Sequence, residues 1–146
     1  MLVSMTGWKR KMSSNIVAVY DSLRFGFSDH EMIVDSQPIG KGWLTGFRMF
    51  NLGQYPGVVK TYEENQRVRV EWYKVSDSTL EALDRMKEYD PNSPDDSLFV
   101  RVRVYSPYGK GSMYIYNQSL QQSMPVEGGD WERTLARTTR REIPVV

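Results

Sequence analysis

The sequence predicts a single small α+β domain with a mainly antiparallel sheet that is twisted or barrel-like. Its 146 residues match the commonest size of one domain. Several short segments place apolar residues at every second position, which is typical of strands, whereas residues 79–89 repeat them at helical spacing. Five glycines between residues 40 and 57 separate short apolar runs, which favours bent strands in a twisted sheet.

Composition excludes several classes of protein and site. The chain has 40% hydrophobic and 25% charged residues, no apolar run of about 18 residues and no signal-peptide pattern, so we expect a soluble cytoplasmic protein. It contains no cysteine, which excludes disulfides and thiolate chemistry, and His30 is its one histidine. Because one histidine cannot build a His-rich site, we predict no metal centre.

The first half of the chain reads as strands around a short helix. Residues 16–20 form a β-branched run that predicts a buried strand followed by a loop. Ser28 and Asp29 offer N-cap oxygens to a short helical stretch over residues 30–36. Short bent strands are then expected over residues 43–50.

The second half contains the clearest periodic patterns. Residues 67–75 predict a half-buried strand with an apolar face (Val68, Val70, Trp72) and a polar face toward water (Arg67, Arg69, Glu71). A helix capped at residues 76–78 is predicted to extend to Tyr89, before Asp90-Pro91. Residues 98–105 and 111–117 predict a hairpin across residues 107–110.

We divide the chain into an extension (1–14), one domain (15–132) and a basic tail (133–146). Arg133, Arg137 and Arg141 in the tail are four residues apart and would share one face of a helix. Such a tail is typical of a solvated segment, and an anionic partner such as nucleic acid is the alternative.

Several segments, in order, resemble the gamma-glutamylcyclotransferase-like family: VAVYDSLRFGFSDH, GWLTGFRMFNLGQYPGVV, VRVEWYKV, LEALDRMKEYDP, SLFVRVRVY, MYIYN and VEGGDW. The resemblance covers residues 16–131. It implies a mixed, closed or nearly closed β-barrel flanked by short helices, with a pocket at one end. It also implies that residues 21–24 and 86–89 lie close together in space.

The resemblance further implies a site and a reaction. The family's Tyr-Gly-Ser-Leu-Arg loop corresponds to Tyr20-Asp21-Ser22-Leu23-Arg24, and its backbone N–H groups hold the carboxylate of a gamma-glutamyl group. Tyr116 is a further candidate ligand contact. A glutamate acts as general base so that the substrate's α-amine attacks the γ-carbonyl and releases 5-oxoproline, which requires no cofactor.

The sequence differs from the family pattern at two positions of that site. Asp21 replaces the loop glycine, and the family's Leu-Asp-x-x-Glu-Gly-Tyr motif has Lys87 at the glutamate position. Lysine is a cation at neutral pH and does not accept a proton. Glu88 is adjacent, but one helical residue corresponds to a rotation of about 100°, which would direct its carboxylate away from the pocket. Asp21 and Lys87 could instead neutralise each other across the pocket mouth.

Three hypotheses follow. The favoured one is a protein that has lost the reaction and binds a small gamma-glutamyl-like ligand or a protein partner. The second is an active cyclotransferase that uses Glu88 or Glu71 as base, and the third is a partner-binding role for the arginine-rich C-terminus. Purely structural roles remain open for several candidates, as packing aromatics, a turn residue or surface charges (Tyr20, Tyr116, Ser22, Arg24, Glu71).

Overall fold

The computed structural model describes residues 15–132, which form an α+β domain with a sheet-rich core and one α-helix. The helix is α1 (Asp77–Met86), and short 3₁₀ turns cover His30–Ile33, Pro94–Asp96 and Glu127–Gly129. The strands are β1 (Asn15–Val19), β2 (Gln37–Thr45), β3 (Phe47–Asn51), β4 (Pro56–Lys60), β5 (Arg67–Val75), β6 (Phe99–Ser106), β7 (Gly109–Tyr116) and β8 (Met124–Pro125). The predicted extension and basic tail lie outside the described residues. Within those residues, no helix has the length and apolar character needed to span a bilayer.

The strands form two sheets. The five-stranded sheet has the order β2-β5-β1-β7-β6, in which only β1 and β7 are parallel neighbours, and the smaller sheet has the order β4-β3-β8. The mixed α+β class and the β6–β7 hairpin are therefore confirmed. Closure into a barrel is not, because hydrogen-bonded pairing in residues 15–132 ends at β2 and β6.

Side-chain packing nevertheless brings the hairpin tip to the opposite edge of the large sheet. The ring of Tyr108, in the β6–β7 turn, lies over Gly40 of β2. A Cβ atom built on Gly40 would fall 2.0 Å from the Tyr108 hydroxyl oxygen, so this contact requires a glycine in β2.

β5 is buried on both faces over its second half. Val68, Val70 and Trp72 face one core cluster, as the alternation predicts. The prediction that Glu71 faces water is wrong, because its side of the sheet is covered by the loop after β1 and its residue is 6% exposed. Tyr73 is buried there too, in a second cluster that includes residues of β1 and α1.

The helix begins where the sequence predicts and ends three residues earlier. Ser76 is the N-cap, and its hydroxyl accepts the Thr79 N–H at 3.1 Å. The last helical residue is Met86 rather than Tyr89.

The early end is a Schellman motif. The Tyr89 N–H donates to the Asp84 carbonyl (2.9 Å), and the Glu88 N–H donates to that of Arg85 (3.1 Å). Glu88 has a φ of +54°, the left-handed conformation that glycine usually supplies at this position. The helix prediction failed here because a glutamate gives no sequence signal for a left-handed residue.

The predicted helix over residues 30–36 is reduced to a single 3₁₀ turn. Neither Ser28 nor Asp29 caps it by a side-chain hydrogen bond. The Asp29 carboxylate instead accepts the hydroxyl of Ser22, so it closes the preceding loop rather than starting a helix.

Arg24 fastens the loop after β1 to the sheet. Its guanidinium donates to Glu71 of β5 (3.0 Å), to Asp130 (3.0 Å) and to Glu132 (3.1 Å). The Glu71 carboxylate also accepts the Phe25 N–H (2.9 Å) and the hydroxyl of its strand neighbour Tyr73 (2.8 Å).

These donors determine how Glu71 ionises. Burial acts to raise its pKa, but the Phe25 N–H, the Tyr73 hydroxyl and the Arg24 guanidinium outweigh burial and hold the pKa below its ordinary value. Both oxygens of the Glu71 carboxylate accept hydrogen bonds from the loop: Oε2 from Arg24 and Oε1 from the Phe25 N–H.

A second buried network joins α1 to the hairpin. The Asp84 carboxylate accepts two bonds from Arg101 of β6 (2.9 and 3.1 Å) and the Tyr114 hydroxyl of β7 (2.5 Å). The Tyr114 carbonyl accepts the hydroxyl of Tyr20 (2.7 Å). Burial, with the Asp84 carboxylate next to it, raises the pKa of the Tyr114 hydroxyl.

We expect Asp84→Asn to lower the free energy of unfolding by about 2 kcal/mol, because it leaves the Arg101 guanidinium without its charge partner at a largely buried site. Urea denaturation measures this. The matched control is Asp95→Asn, at an exposed position, which should change stability by less than about 0.5 kcal/mol. Equal effects of the two substitutions would contradict a stabilising role for the network.

We expect Glu71→Gln to cost about 3 kcal/mol of unfolding free energy at pH 7, because the buried Arg24 guanidinium loses a charge partner. Since folding lowers the Glu71 pKa, its stabilisation is fully present above the unfolded value of about 4.3 and is lost as the pH falls through the lower folded-state pKa. The difference between the two proteins should therefore narrow below about pH 4. Denaturation curves at a series of pH values test this, with exposed Glu81→Gln as control; a difference independent of pH argues against an ionised Glu71.

Candidate active site

A cavity of about 160 Å³ lies where the loop after β1 meets the C-terminal end of α1. Residues of that loop, of the helix end, of the start of β6 and of the β3–β4 turn line it (Asp21, Ser22, Asp29, Met86, Lys87, Glu88, Leu98, Phe99, Tyr55). The expectation that residues 21–24 and 86–89 approach each other is thus confirmed.

A buried ion pair dominates this cavity. The Lys87 ammonium donates to Oδ2 of Asp21, and the two residues are 8% and 3% exposed. The same ammonium lies 4.9 Å from the ring centroid of Phe99, a cation–π distance. A recess behind the pair, beside Tyr20 and Leu23, has no room for a water molecule.

Asp21 also accepts hydrogen bonds from the backbone of its own loop. Its Oδ1 accepts the Leu23 N–H at 3.1 Å, and its backbone carbonyl accepts the Arg24 N–H at 3.1 Å. Successive backbone N–H groups after a strand form a concavity that binds anions. Here the anion that accepts the Leu23 N–H is the chain's own Asp21 carboxylate.

Ser22 and Glu88 line the same cavity as the ion pair. The Ser22 hydroxyl donates to the Asp29 carboxylate, and both residues line the cavity. Glu88 also lines it, but its side chain is exposed because the left-handed backbone turns the chain away from the helix axis.

Five other candidate residues do not line this cavity. Leu23 is buried and donates its N–H to Asp21. Tyr20 is buried with its hydroxyl bonded to Tyr114, and burial raises its pKa. Tyr116 packs edge-on against Phe99, with ring centroids 5.4 Å apart. Arg24 and Glu71 are held in the loop-fastening network, and Glu71 lines a separate cavity of about 430 Å³.

Four lining residues lie outside the site residues and the 86–89 segment predicted from the sequence: Asp29, Tyr55, Leu98 and Phe99. Asp29 gave only an N-cap signal, while Tyr55 and Phe99 looked like ordinary strand and turn aromatics. Their role depends on which segments fold against each other, and no local pattern carries that information. Within residues 15–132 there is no cluster of three or more side chains that could hold a metal ion.

Comparison with known proteins places the chain in a family. The family profile described as "Gamma-glutamyl cyclotransferase, AIG2-like" matches residues 17–133. The gamma-glutamylcyclotransferase family protein YtfP of Escherichia coli K12 is 28% identical over 115 residues, which cover 79% of this chain and 94% of that protein. The gamma-L-glutamyl-butirosin B gamma-glutamyl cyclotransferase of Niallia circulans is 28% identical over 120 residues, covering 79% of this chain and 74% of that protein.

Solved structures agree with the fold. The solution structure of E. coli YtfP has a TM-score of 0.63 at 28% identity and covers 80% of this chain and 95% of that chain. An uncharacterized protein of Pyrococcus horikoshii has a TM-score of 0.71 at 20% identity, covers 88% of this chain and 99% of that chain, and supports the fold alone. By its sequence match over residues 17–133, the chain belongs to the gamma-glutamyl cyclotransferase, AIG2-like family.

Proposed function

We propose that this chain has lost the cyclotransferase reaction of its family and uses the family scaffold to bind a small ligand or a protein partner. The observation that carries the proposal is the ion pair between Lys87 and Asp21, the two residues that we align with the family's glutamate and loop glycine. The chain's own ammonium and carboxylate thus pair with each other in the wall of the cavity.

The first argument concerns the proton acceptor. The family reaction needs a general base that removes a proton from the substrate's α-amine. At the base position Lys87 carries an ammonium that is donating to Asp21, and an ammonium has no lone pair to accept a proton. Asp21 cannot take over easily, because its oxygens already accept Lys87 and the Leu23 N–H.

The second argument concerns substrate binding. In the family the loop amides hold the gamma-glutamyl carboxylate, whereas here Asp21 accepts the Leu23 N–H. A substrate carboxylate would have to displace that bond and approach a like charge. The volume of about 160 Å³ is also below the roughly 300–1,000 Å³ of most ligand pockets.

The backbone supports the alignment on which both arguments rest. Glu88 has a positive φ, and the family motif has a glycine at that position. If Lys87 aligns with the family glutamate, Glu88 aligns with the glycine that follows it, and a left-handed conformation is expected there. The observed helix end is consistent with this alignment.

The second candidate function is an active cyclotransferase with Glu88 as base. Its supporting observations are that Glu88 lines the cavity and that the related Niallia protein is named for such an activity. Glu71 is a weaker candidate base because three donors already engage its carboxylate and it lines a different cavity.

We expect the double substitution Asp21→Gly with Lys87→Glu to create cyclotransferase activity, detected as 5-oxoproline released from gamma-glutamyl amines and measured by mass spectrometry. Restoring a general base should be worth about 10²–10⁴-fold in rate. Each single change should give little, because Asp21→Gly supplies no base and Lys87→Glu places two carboxylates together. The gain should therefore appear as coupling in a double-mutant cycle.

Lys60→Glu, a charge reversal at an exposed position outside the cavity, is the control and should create no activity. Ordinary turnover by the unmodified chain, abolished by Glu88→Gln, would instead assign the base to Glu88 and refute the loss of activity.

We expect 5-oxoproline to bind the unmodified chain weakly or not at all in calorimetry. Asp21→Gly should strengthen binding at least about tenfold, because it frees the Leu23 N–H and removes the competing negative charge. The exposed Asp35→Gly is the matched control and should leave affinity unchanged. Submicromolar binding by the unmodified chain would show that Asp21 does not block the loop.

A further inference from the structure

The two outer strands of the large sheet flank one groove. It has a volume of about 660 Å³ and lies between five consecutive residues of β2, 41–45, and the end of β6 with its turn, 103–107. Trp72 and Val104, both buried, line its inner side. The Tyr108 ring lies against Gly40 beyond one end of the lining β2 segment.

Both sides of this groove are strand edges. Among the described strands, β2 pairs only with β5, and β6 pairs only with β7. An edge strand presents unpaired N–H and C=O groups that can pair with a further chain. Following the pairings across the sheet, β2 and β6 run in opposite directions, so an added strand would be parallel to one and antiparallel to the other. β1 already has that arrangement between β7 and β5.

The charges at the groove have one sign. Lys41 and Arg103 line it, no Asp or Glu does, and within residues 15–132 neither cation has a salt-bridge partner. Two further cations lie over the ring of Trp43, which also lines the groove. The guanidinium carbons of Arg67 and Arg69 are 4.1 and 5.4 Å from its ring centroid. An occupant of this groove therefore gains from negative charge.

We propose that the groove between β2 and β6 binds an extended acidic peptide segment of a partner protein, which adds a strand to the open sheet edge. Because side chains alternate along a strand, apolar residues of the peptide face Trp72 and Val104, and acidic residues point toward Lys41 and Arg103. This interaction surface is separate from the cavity at Lys87.

The probe is a capped, fluorescein-labelled peptide of alternating glutamate and valine, about six residues long, the usual length of a strand. Fluorescence anisotropy should show saturable binding that weakens with salt. The double variant Lys41→Ala with Arg103→Ala should bind the peptide about tenfold or more weakly, because it removes the two positive charges that face the peptide's acidic residues. Both side chains are exposed, so the variant should fold. Lys60→Ala, which removes an exposed charge outside the groove, should bind within about twofold of the unmodified chain.

Hydrogen exchange separates strand addition from simple charge attraction. Peptide binding should protect backbone amides within residues 41–45 and 103–106, because edge N–H groups gain partners. Three results would overturn the proposal: equal binding of a lysine–valine peptide, binding without added backbone protection, or no binding. Binding of oligouridylate more tightly than the acidic peptide would also overturn it and assign the groove to single-stranded nucleic acid.

Discussion

The ion pair between Arg24 and Glu71 is the constraint on which the candidate site depends. A loop that leaves a buried strand has no regular partners, and this one is attached to β5 through a carboxylate that also accepts the Phe25 N–H and the Tyr73 hydroxyl. Both charged residues are almost fully buried, so removing Arg24 would leave a buried carboxylate without its charge partner, and removing Glu71 would take from Arg24 the most buried of its three carboxylate partners. The attachment sets the path of the loop, and that path places Asp21 opposite the end of α1.

The end of α1 supplies the other half of the site. The Schellman motif turns the chain at Glu88. Lys87, the C-cap residue, therefore keeps its position at the helix end, and its ammonium donates to Asp21. The helix itself is held in place by Asp84, which bonds to β6 and β7. The two segments that meet at the cavity are therefore each anchored by a separate buried carboxylate, and the Asp21–Lys87 contact joins elements that are already positioned.

The cavity at Lys87 and the groove between β2 and β6 differ in chemistry as well as in place. At the Lys87 cavity a cation and an anion of the chain satisfy each other, which leaves little for a charged ligand to gain. In the groove between β2 and β6, cations are left without anionic partners in the described part of the chain, beside unpaired strand edges. Internal neutralisation would weaken the binding of a charged ligand at the cavity, whereas charges and strand edges that have no partner within residues 15–132 would favour the proposed binding in the groove.

Local patterns in the sequence were sufficient for the periodic elements, because period-two alternation and helical spacing depend only on neighbouring residues. They predicted β5, the start of α1 at Ser76 and the hairpin of β6 and β7, and resemblance brought Asp21 and Lys87 together as replacements at one site. Tertiary structure alone decided the features that join distant segments. It buried Glu71 under the loop, ended α1 ahead of a left-handed Glu88, placed Asp29 and Phe99 at the cavity and, within residues 15–132, left β2 and β6 each with a single hydrogen-bonded neighbour. Each of these depends on which surfaces pack together, and packing between residues far apart in the chain leaves no periodic trace in the sequence.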